Sequence, residues 1–319
     1  MVCITSIEMH DSGLSRRTGL RGALLTRRAN LGDCTDARSL LTRVASPRPM
    51  RHPACVIPLS AAWRNEPSST ALALDVSKRA LAAHAPDSIG AIVYCHAVPD
   101  EQSTDSSAGR LQFELGLRNA NPFSISQAHN TAVLIGLDLA AGLIEGPEAA
   151  ESVLLVAVDK LAFGQPPTNP CRMDWADVAA AAVISRDASA GWRVRRVALG
   201  RFATPLGTRD RWPEDATLSF ADYCAASLAQ CVRGEEIGPD DLDAVVASTP
   251  DAGFARRVHA LAQLGHVRGV VPSSGLIASA DLLLQIARVA PDVAPGRSIL
   301  GWCNGNNGEF ACCLLTRIG

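Results

Sequence analysis

His129 and Asn130 are the residues whose types and setting best fit catalysis. They lie in a short polar stretch between an apolar run at residues 123–126 and a long apolar segment at residues 132–144. An imidazole at the beginning of a helix is kept neutral by the helix dipole, and it can act as a general base toward a hydroxyl or an amine, or donate to a carbonyl oxygen. The same two residues would equally serve as plain polar residues at a helix N-terminus, where Asn is a favoured cap.

The ten cysteines show no spacing typical of a metal site. There is no CxxC, and no Cys/His pair has the spacing of zinc ligands, so we predict no metal site and expect mostly small, buried, reduced thiols. Cys95 and His96 are neighbours in a predicted strand. Because consecutive strand residues point to opposite faces, they cannot easily form a catalytic pair, and Cys95 is expected in the core.

A further candidate region is the Gly/Asn-rich turn at residues 304–308, directly after Cys303. Gly305 and Asn306 permit positive φ and a close approach of the backbone, so N–H groups of this turn could complete an oxyanion hole beside a substrate. A structural hairpin needs the same residues. Cys303 itself is expected to be buried at the edge of this candidate site.

Overall charge and hydropathy exclude several classes of partner. The 319 residues hold 30 Lys+Arg against 32 Asp+Glu, a net charge of −2 with a pI near 6.4. Such a chain has no electric field that would gather nucleic acid or anionic lipid. No secretory segment opens the sequence and no run of 18 apolar residues occurs, so we expect a cytoplasmic protein whose partner is a small molecule or another protein.

From residue 69 onward the periodicity predicts alternating helices and strands. The first 70 residues are expected to form short strands and loops, and residues 123–126 a buried strand. Helices are predicted at residues 69–84, 108–117, 132–144, around 148–151, and at 218–232, 254–264 and 278–289. Strands are predicted at residues 89–98, 123–126, 153–158, 192–199, 242–248, 267–271, 298–303 and 309–315.

The order of these elements repeats in outline, which predicts the fold class. Two successive β/α halves with buried strands favour a five-layered α-β-α-β-α body, a member of the α/β class. We expect an N-terminal half at residues 1–185 and a C-terminal half at residues 186–319.

Four segments together carry a resemblance to a known family. They are YCHAVPD at residues 94–100, SISQA at 124–128 leading into LDLA at 137–140, VLLVAVD at 153–159 and WADVAAA at 175–181. In order and spacing the chain is similar to beta-ketoacyl-ACP synthase III and its acyltransferase relatives in the thiolase fold. The resemblance implies a homodimeric or heterodimeric thiolase-like protein that takes acyl groups from CoA or acyl carrier protein thioesters, without a metal or redox cofactor.

Three positions at which the family carries its Cys, His and Asn hold other residues here. The cysteine position falls at Asn130 when counted back from residues 137–140, and at His129 when residues 125–128 are matched. The histidine position falls at Thr249, and the asparagine position at Ser274. At these three positions the chain therefore lacks the residues that carry out the family's thiolate-dependent condensation.

Three functional hypotheses follow from the resemblance and the departure. The first is a ketoacyl synthase III-like acyltransferase of a specialised, secondary-metabolite pathway, in which an acceptor attacks the acyl thioester directly with His129 as base. The second is a non-catalytic subunit that pairs with a cysteine-bearing paralogue. The third is a cysteine-dependent condensing enzyme whose nucleophile lies elsewhere, for example at Cys95 or Cys303.

Overall fold

The computed structural model describes residues 1–11, 68–97, 106–146, 150–160, 178–186, 188–203, 212–235, 237–249, 251–270, 279–305 and 307–319. The helices are α1 (Ser69–Ala80), α2 (Ser107–Glu114), α3 (Ala132–Glu145), α4 (Glu214–Arg233), α5 (Ala252–Leu261) and α6 (Asp281–Val289). The strands are β1 (Val2–Asp11), β2 (Ile89–Cys95), β3 (Asn121–Ile125), β4 (Ser152–Asp159), β5 (Val178–Arg186), β6 (Gly191–Arg201), β7 (Leu242–Ser248), β8 (Gly269–Val270), β9 (Ser298–Asn304) and β10 (Glu309–Ile318).

The strand order repeats between the first five strands and the last five. Along the sheet the order is β3-β2-β4-β5-β1 followed by β6-β10-β9-β7-β8, so the second set mirrors the first about the β1/β6 contact. In each set four strands run in the same direction, and one, β5 or β10, runs antiparallel to its two neighbours. β1 and β6 pair only at Cys3 with Arg193 and Ile4 with Trp192. The predicted boundary between residues 185 and 186 stays a prediction.

The two-residue period of β4 explains how helices cover both faces of the first set. Its odd-numbered residues from Val153 to Ala157 pack into a central cluster with α3 and α6. Its even-numbered residues from Leu154 to Val158 pack into an outer cluster with α1 and α2. A strand buried on both faces therefore shows a continuous apolar sequence rather than an alternating one.

The second set has the same arrangement. In β10, Ala311 and Cys313 pack into the central cluster, whereas Cys312 and Leu314 pack into a second outer cluster with α4 and α5. Side chains from both sets of strands thus pack into the central cluster, and α3 and α6 lie between the two sets. The predicted five-layered α-β-α-β-α fold is confirmed. None of the helices in the described ranges is long and apolar enough to span a lipid bilayer.

Local side-chain caps determine where several helices begin. Ser68 Oγ accepts from the N–H of Ala71 at 3.1 Å and so caps α1. Asp251 Oδ1 accepts from Gly253 N at 2.8 Å and from Phe254 N at 3.1 Å, which caps α5 directly after the end of β7. Each cap satisfies N–H groups that the first helical turn leaves unpaired.

Three sequence expectations were wrong. The N-terminal region begins with a ten-residue strand, β1, in the middle of the sheet; its polar Thr5 and Ser6 donate to the carbonyls of Val183 and Ala80, which makes them tolerable there. β3 is an exposed strand rather than a buried one, and within the described ranges β2 is the only strand that pairs with it. Ala150 and Glu151 lie outside any helix. Residues 12–67 and 147–149 lie outside the described residues.

Candidate functional site at the carboxyl ends of the strands

The polar stretch between β3 and α3 adopts a tight corner with unusual backbone angles. Gln127 and His129 have φ of 62° and 47°, in the left-handed region that side chains other than glycine rarely adopt. His129–Thr131 form one 3-10 turn that leads into α3. The hydroxyl of Thr131 donates to the carbonyl of Ala128 at 2.6 Å, and Ser279 Oγ donates to the carbonyl of His129 at 3.5 Å. Such strain, of the order of 1–3 kcal/mol per residue, persists only where the surroundings hold it, and it is typical of functional corners.

Asn130 is fully buried at this corner and connects it to the second set of strands. Its Nδ2 donates to Ser248 Oγ at 3.2 Å and to the Ser248 carbonyl at 3.4 Å, across 118 residues of sequence. Its Oδ1 has no hydrogen-bond partner in the part of the chain that the structure describes. Leaving a buried acceptor unpaired costs about 1–3 kcal/mol, so this oxygen requires an explanation.

The ends of β7 and β9 lie beside this corner. Ser248 is in register with Cys303 on the neighbouring parallel strand. Thr249 follows β7 directly and is fully buried, and its Oγ1 also has no partner within the described ranges. Asn304 ends β9, and its Nδ2 donates to the Gly305 carbonyl at 3.3 Å. Polar side chains thus collect where the parallel strands end, which is the usual place for sites in open α/β sheets.

Asp159 connects loops of both sets beneath the corner. It ends β4 and is only 1% exposed. One carboxylate oxygen accepts from the N–H of Ala97 at 2.7 Å, and the other accepts from the N–H of Ser279, 120 residues away. Ser279 in turn donates to the carbonyl of His129. A single carboxylate therefore helps to fix the backbone from which His129 projects.

The cysteines nearest to the strand ends are core thiols. Cys95 is fully buried and donates to the carbonyl of Ala132 at 3.3 Å; burial, with a smaller contribution from Asp159, raises the pKa of its thiol. Burial also raises the pKa of Cys303, with smaller contributions from Cys313 and Asp281. Because the thiolate is the nucleophile, thiols whose pKa is raised are poor nucleophiles at neutral pH.

His259 is the histidine that follows the corner at Thr249 along the sequence, and it is a core residue. It is 6% exposed, and its Nε2 accepts from Trp302 Nε1 at 2.9 Å inside the outer cluster with α4 and α5. Burial lowers its pKa to about 4, so the ring is neutral at physiological pH. Its ring packs against Trp302 in the core. His259 therefore does not take the place of the family's histidine, whose position in this sequence is occupied by Thr249.

The structure brings several of the predicted site residues together. Asn130 donates to Ser248, which directly precedes Thr249 in the chain, and Cys303 lies in register with that serine. The N–H of Gly305 donates to the carbonyl of Glu309 at 2.9 Å, as the hairpin interpretation of this turn requires. Ser274 and Asn306 lie outside the described residues.

Sequence reasoning gave Ser248, Asp159 and Ser279 no role in the site. Each of them lies at or beyond the end of an apolar run. That location is the only feature of the sequence that could have indicated a role in the site. Across the described segments, no group of three or more His, Cys, Asp or Glu side chains is placed to hold a metal ion.

The fold is similar to that of solved thiolase-like structures. OleA of Xanthomonas campestris with bound cerulenin is similar with a TM-score of 0.71 at 15% identity, covering 99% of this chain and 98% of that one. The acyltransferase ChlB3 gives 0.69 at 16%, with coverages of 99% and 98%. The 3-oxoacyl-(acyl carrier protein) synthase III of Pseudomonas aeruginosa PAO1 gives 0.66 at 20%, with the same coverages. No protein-family model and no curated protein matches the sequence. At these identities the likeness establishes a thiolase-like fold.

Proposed function

We propose that this chain is a ketoacyl synthase III-like acyltransferase that moves an acyl group from a CoA or carrier-protein thioester directly to an acceptor, without an acyl-cysteine intermediate. The observation that carries the proposal is Asn130, which occupies the corner before α3 and is fully buried against Ser248. The resembled family has its cysteine at this corner. The proposal places the chain in the cytoplasm, in a specialised biosynthetic pathway.

The state of the thiols supports a reaction without a cysteine nucleophile. Cys95 and Cys303 are fully buried and their pKa values are raised, so neither offers a thiolate to a thioester. Among the described residues every cysteine is buried. A condensing enzyme with its nucleophile at Cys95 or Cys303 would need a large rearrangement of the central layer.

In the proposed reaction His129 is the general base. The acceptor's hydroxyl or amine attacks the thioester carbon, and its proton moves to the imidazole as the new C–O or C–N bond forms. N–H groups at the beginning of α3 stabilise the oxyanion, because the first turn of a helix has unpaired donors and a positive dipole end. The C–S bond then breaks, and the departing thiolate takes the proton from the imidazolium.

An exposed edge strand favours a second candidate, a non-catalytic subunit that pairs with another chain. Among the described strands only β2 pairs with β3, which ends the sheet; Phe123 on β3 is 37% exposed, and Phe113 on α2 is 84% exposed. An exposed, apolar edge strand is a template for pairing. The same edge supports a homodimer of the active enzyme.

Phe123→Lys should shift the sedimentation coefficient of a pure dimer to that of a monomer, and an unchanged coefficient would place the interface elsewhere.

One experiment separates the transferase from the subunit. The purified chain is incubated with radiolabelled acetyl-CoA and hydroxylamine as acceptor, and both labelled acetohydroxamate and labelled protein are counted. The transferase predicts hydroxamate but no protein-bound label, and at least a hundredfold lower rate for His129→Ala, the usual size of general-base catalysis. Turnover by the chain alone would exclude the subunit, whereas unchanged turnover of His129→Ala would exclude this mechanism.

A new thiol tests the position of the corner. Asn130→Cys places a thiol at the beginning of α3, where the helix dipole lowers a cysteine's pKa, and it should become labelled by acetyl-CoA. Gln230→Cys, on an exposed face of α4, is the matched control and should not become labelled. Label on Cys95 or Cys303 of the unmodified protein would instead support the cysteine-dependent enzyme.

A further inference from the structure

Asp159 is a buried carboxylate to which the proposed reaction assigns no chemical step. It is only 1% exposed, and each of its oxygens accepts from a backbone N–H, Oδ1 from Ala97 and Oδ2 from Ser279. Taking a carboxylate out of water is costly, and hydrogen bonds must compensate for it. The two N–H groups therefore show what this carboxylate holds, which is one loop from each set of strands.

The bond to Ala97 leads to the beginning of the corner before α3. Ala97 directly follows His96, whose N–H donates to the carbonyl of Ile125 at 3.0 Å. Ile125 is the last residue of β3, and the corner begins directly after it. Asp159 therefore holds the segment that in turn holds the end of β3.

The bond to Ser279 leads to the other end of the same corner. Ser279 is fully buried; its N–H is held by Asp159, and its hydroxyl donates to the His129 carbonyl at 3.5 Å. The N–H of Ala132, at the beginning of α3, donates to the same carbonyl. The peptide group that follows His129 is thus fixed from both sets of strands.

His129 depends on such support because its backbone is strained. Its φ of 47° lies in the left-handed region, and a strained residue keeps its conformation only where the surrounding structure holds it. The peptide group that precedes it is fixed locally, since the N–H and the hydroxyl of Thr131 both donate to the Ala128 carbonyl. Displacing a catalytic group by about 1 Å can lower the rate about a hundredfold, so the backbone of His129 has to be held accurately.

We infer that Asp159, acting through Ala97 and Ser279, is the positioning residue for His129. This inference rests on the proposed function, in which His129 is the general base. Both carboxylate oxygens are engaged by backbone N–H groups, so Asp159 transfers no proton in the reaction. It holds the corner in the conformation from which the imidazole takes the proton of the acceptor.

Steady-state kinetics with acetyl-CoA and hydroxylamine test the inference. Asp159→Asn keeps the size of the side chain but turns an amide N–H toward a backbone N–H, so one of the two hydrogen bonds is lost. Its kcat should fall about ten- to a hundredfold, as expected for a displaced base, and its KM for acetyl-CoA should stay within about twofold. In a His129→Ala background the same substitution should change kcat by less than about twofold, because residues that act as a unit are not additive. Equal losses in both backgrounds would show a purely structural role and would overturn the inference.

A milder pair of variants covers the case in which Asp159→Asn does not fold. Ser279→Ala loses the hydroxyl but keeps the N–H on Asp159, and its kcat should fall about fivefold, as expected for one hydrogen bond. Ser298→Ala is the matched control, because it also removes a buried hydroxyl, one that bonds Thr316 at the end of β9 opposite the corner. Its kcat should be unchanged. Equal kcat values for the two variants would overturn the inference.

Hydrogen exchange separates a failure of this inference from a failure of the proposed function. If the unmodified chain makes no hydroxamate, the transferase proposal fails, and the backbone amides still report what Asp159 holds. In Asp159→Asn the amides of Thr131 and Ala132, which donate to the carbonyls of Ala128 and His129, should exchange at least about tenfold faster than in the parent. The amides of α1 are the reference and should be unchanged. Unchanged exchange at the corner, or an equal increase in α1, would overturn the inference.

Discussion

Gly136, in the middle of α3, tests how closely this helix packs against the first set of strands. A Cβ on Gly136 would lie 2.7 Å from both Cys95 Sγ and Leu155 Cδ1, closer than real Cβ atoms come. Gly142 lies six residues later in the same helix, and a Cβ there would meet nothing within 4 Å. The two glycines therefore differ in packing but share one helix, which makes Gly142→Ala the matched control.

The expected effects have opposite signs. In both variants alanine removes the conformational cost of glycine in a helix, a gain of about 1 kcal/mol. Gly136→Ala also overpacks a close-packed core, which costs about 1–3 kcal/mol. We expect Gly142→Ala to raise the free energy of unfolding by about 1 kcal/mol and Gly136→Ala to lower it by about 1 kcal/mol.

Urea denaturation followed by circular dichroism measures both changes. Cys95→Ala removes the sulfur that the new methyl group would meet, so the double variant with Gly136→Ala should show a favourable coupling of about 0.5 kcal/mol or more. If Gly136→Ala were stabilised as much as Gly142→Ala, α3 would not pack on Cys95 and Leu155, and the position assigned to Asn130 at its N-terminus would lose its basis.

Three further predictions concern the core and the helix ends. The pKa of His259 is lowered to about 4 in the folded state, whereas an unfolded chain has the ordinary histidine pKa of about 6.5. Between these two pH values the unfolded chain binds a proton that the folded protein does not, so the free energy of unfolding should fall by about 3 kcal/mol as the pH is lowered from about 6.5 to about 4. His259→Gln keeps an acceptor for Trp302 and should lose this part of the pH dependence in urea titrations at several pH values. Asp251→Ala removes the cap of α5 and should cost about 1 kcal/mol, whereas Asp251→Asn should cost only a fraction of that. Native alkylation with iodoacetamide, read by mass spectrometry, should leave the seven cysteines of the described residues unmodified, because all are buried.

Each of these has an outcome that would contradict it. An unchanged pH profile for His259→Gln would mean that the imidazole binds its proton as readily in the folded protein as in the unfolded chain. Equal stabilities of Asp251→Ala and the parent would mean that the Asp251 side chain does not cap α5. Rapid native alkylation of Cys95 or Cys303 would reopen the hypothesis of a cysteine-dependent enzyme.

Most helices and strands could be predicted because they are local patterns. The strand Leu242–Ser248 and the helix that begins at Ala132 follow directly from apolar runs bounded by polar or turn residues. β1 was missed because its polar residues are satisfied by carbonyls of β5 and α1, a compensation that no local pattern reveals. The burial of β3 was misjudged for the converse reason, since its apolar sequence says nothing about whether a second strand covers its free edge.

The sequence by itself determined that His129, Asn130 and Thr249 follow apolar strands and that no cysteine stands at the corner before α3. Only the tertiary structure decided that Asn130 donates to Ser248 across 118 residues, and that Asp159 accepts from Ser279 across 120. The reason is physical. The spacing of apolar residues along a segment indicates which of that segment's faces are buried, whereas the hydrogen-bond partner of a buried polar atom depends on which distant strand ends pack against it. Whether Asn130 Oδ1 and Thr249 Oγ1 find partners was therefore decided by packing between the two sets of strands.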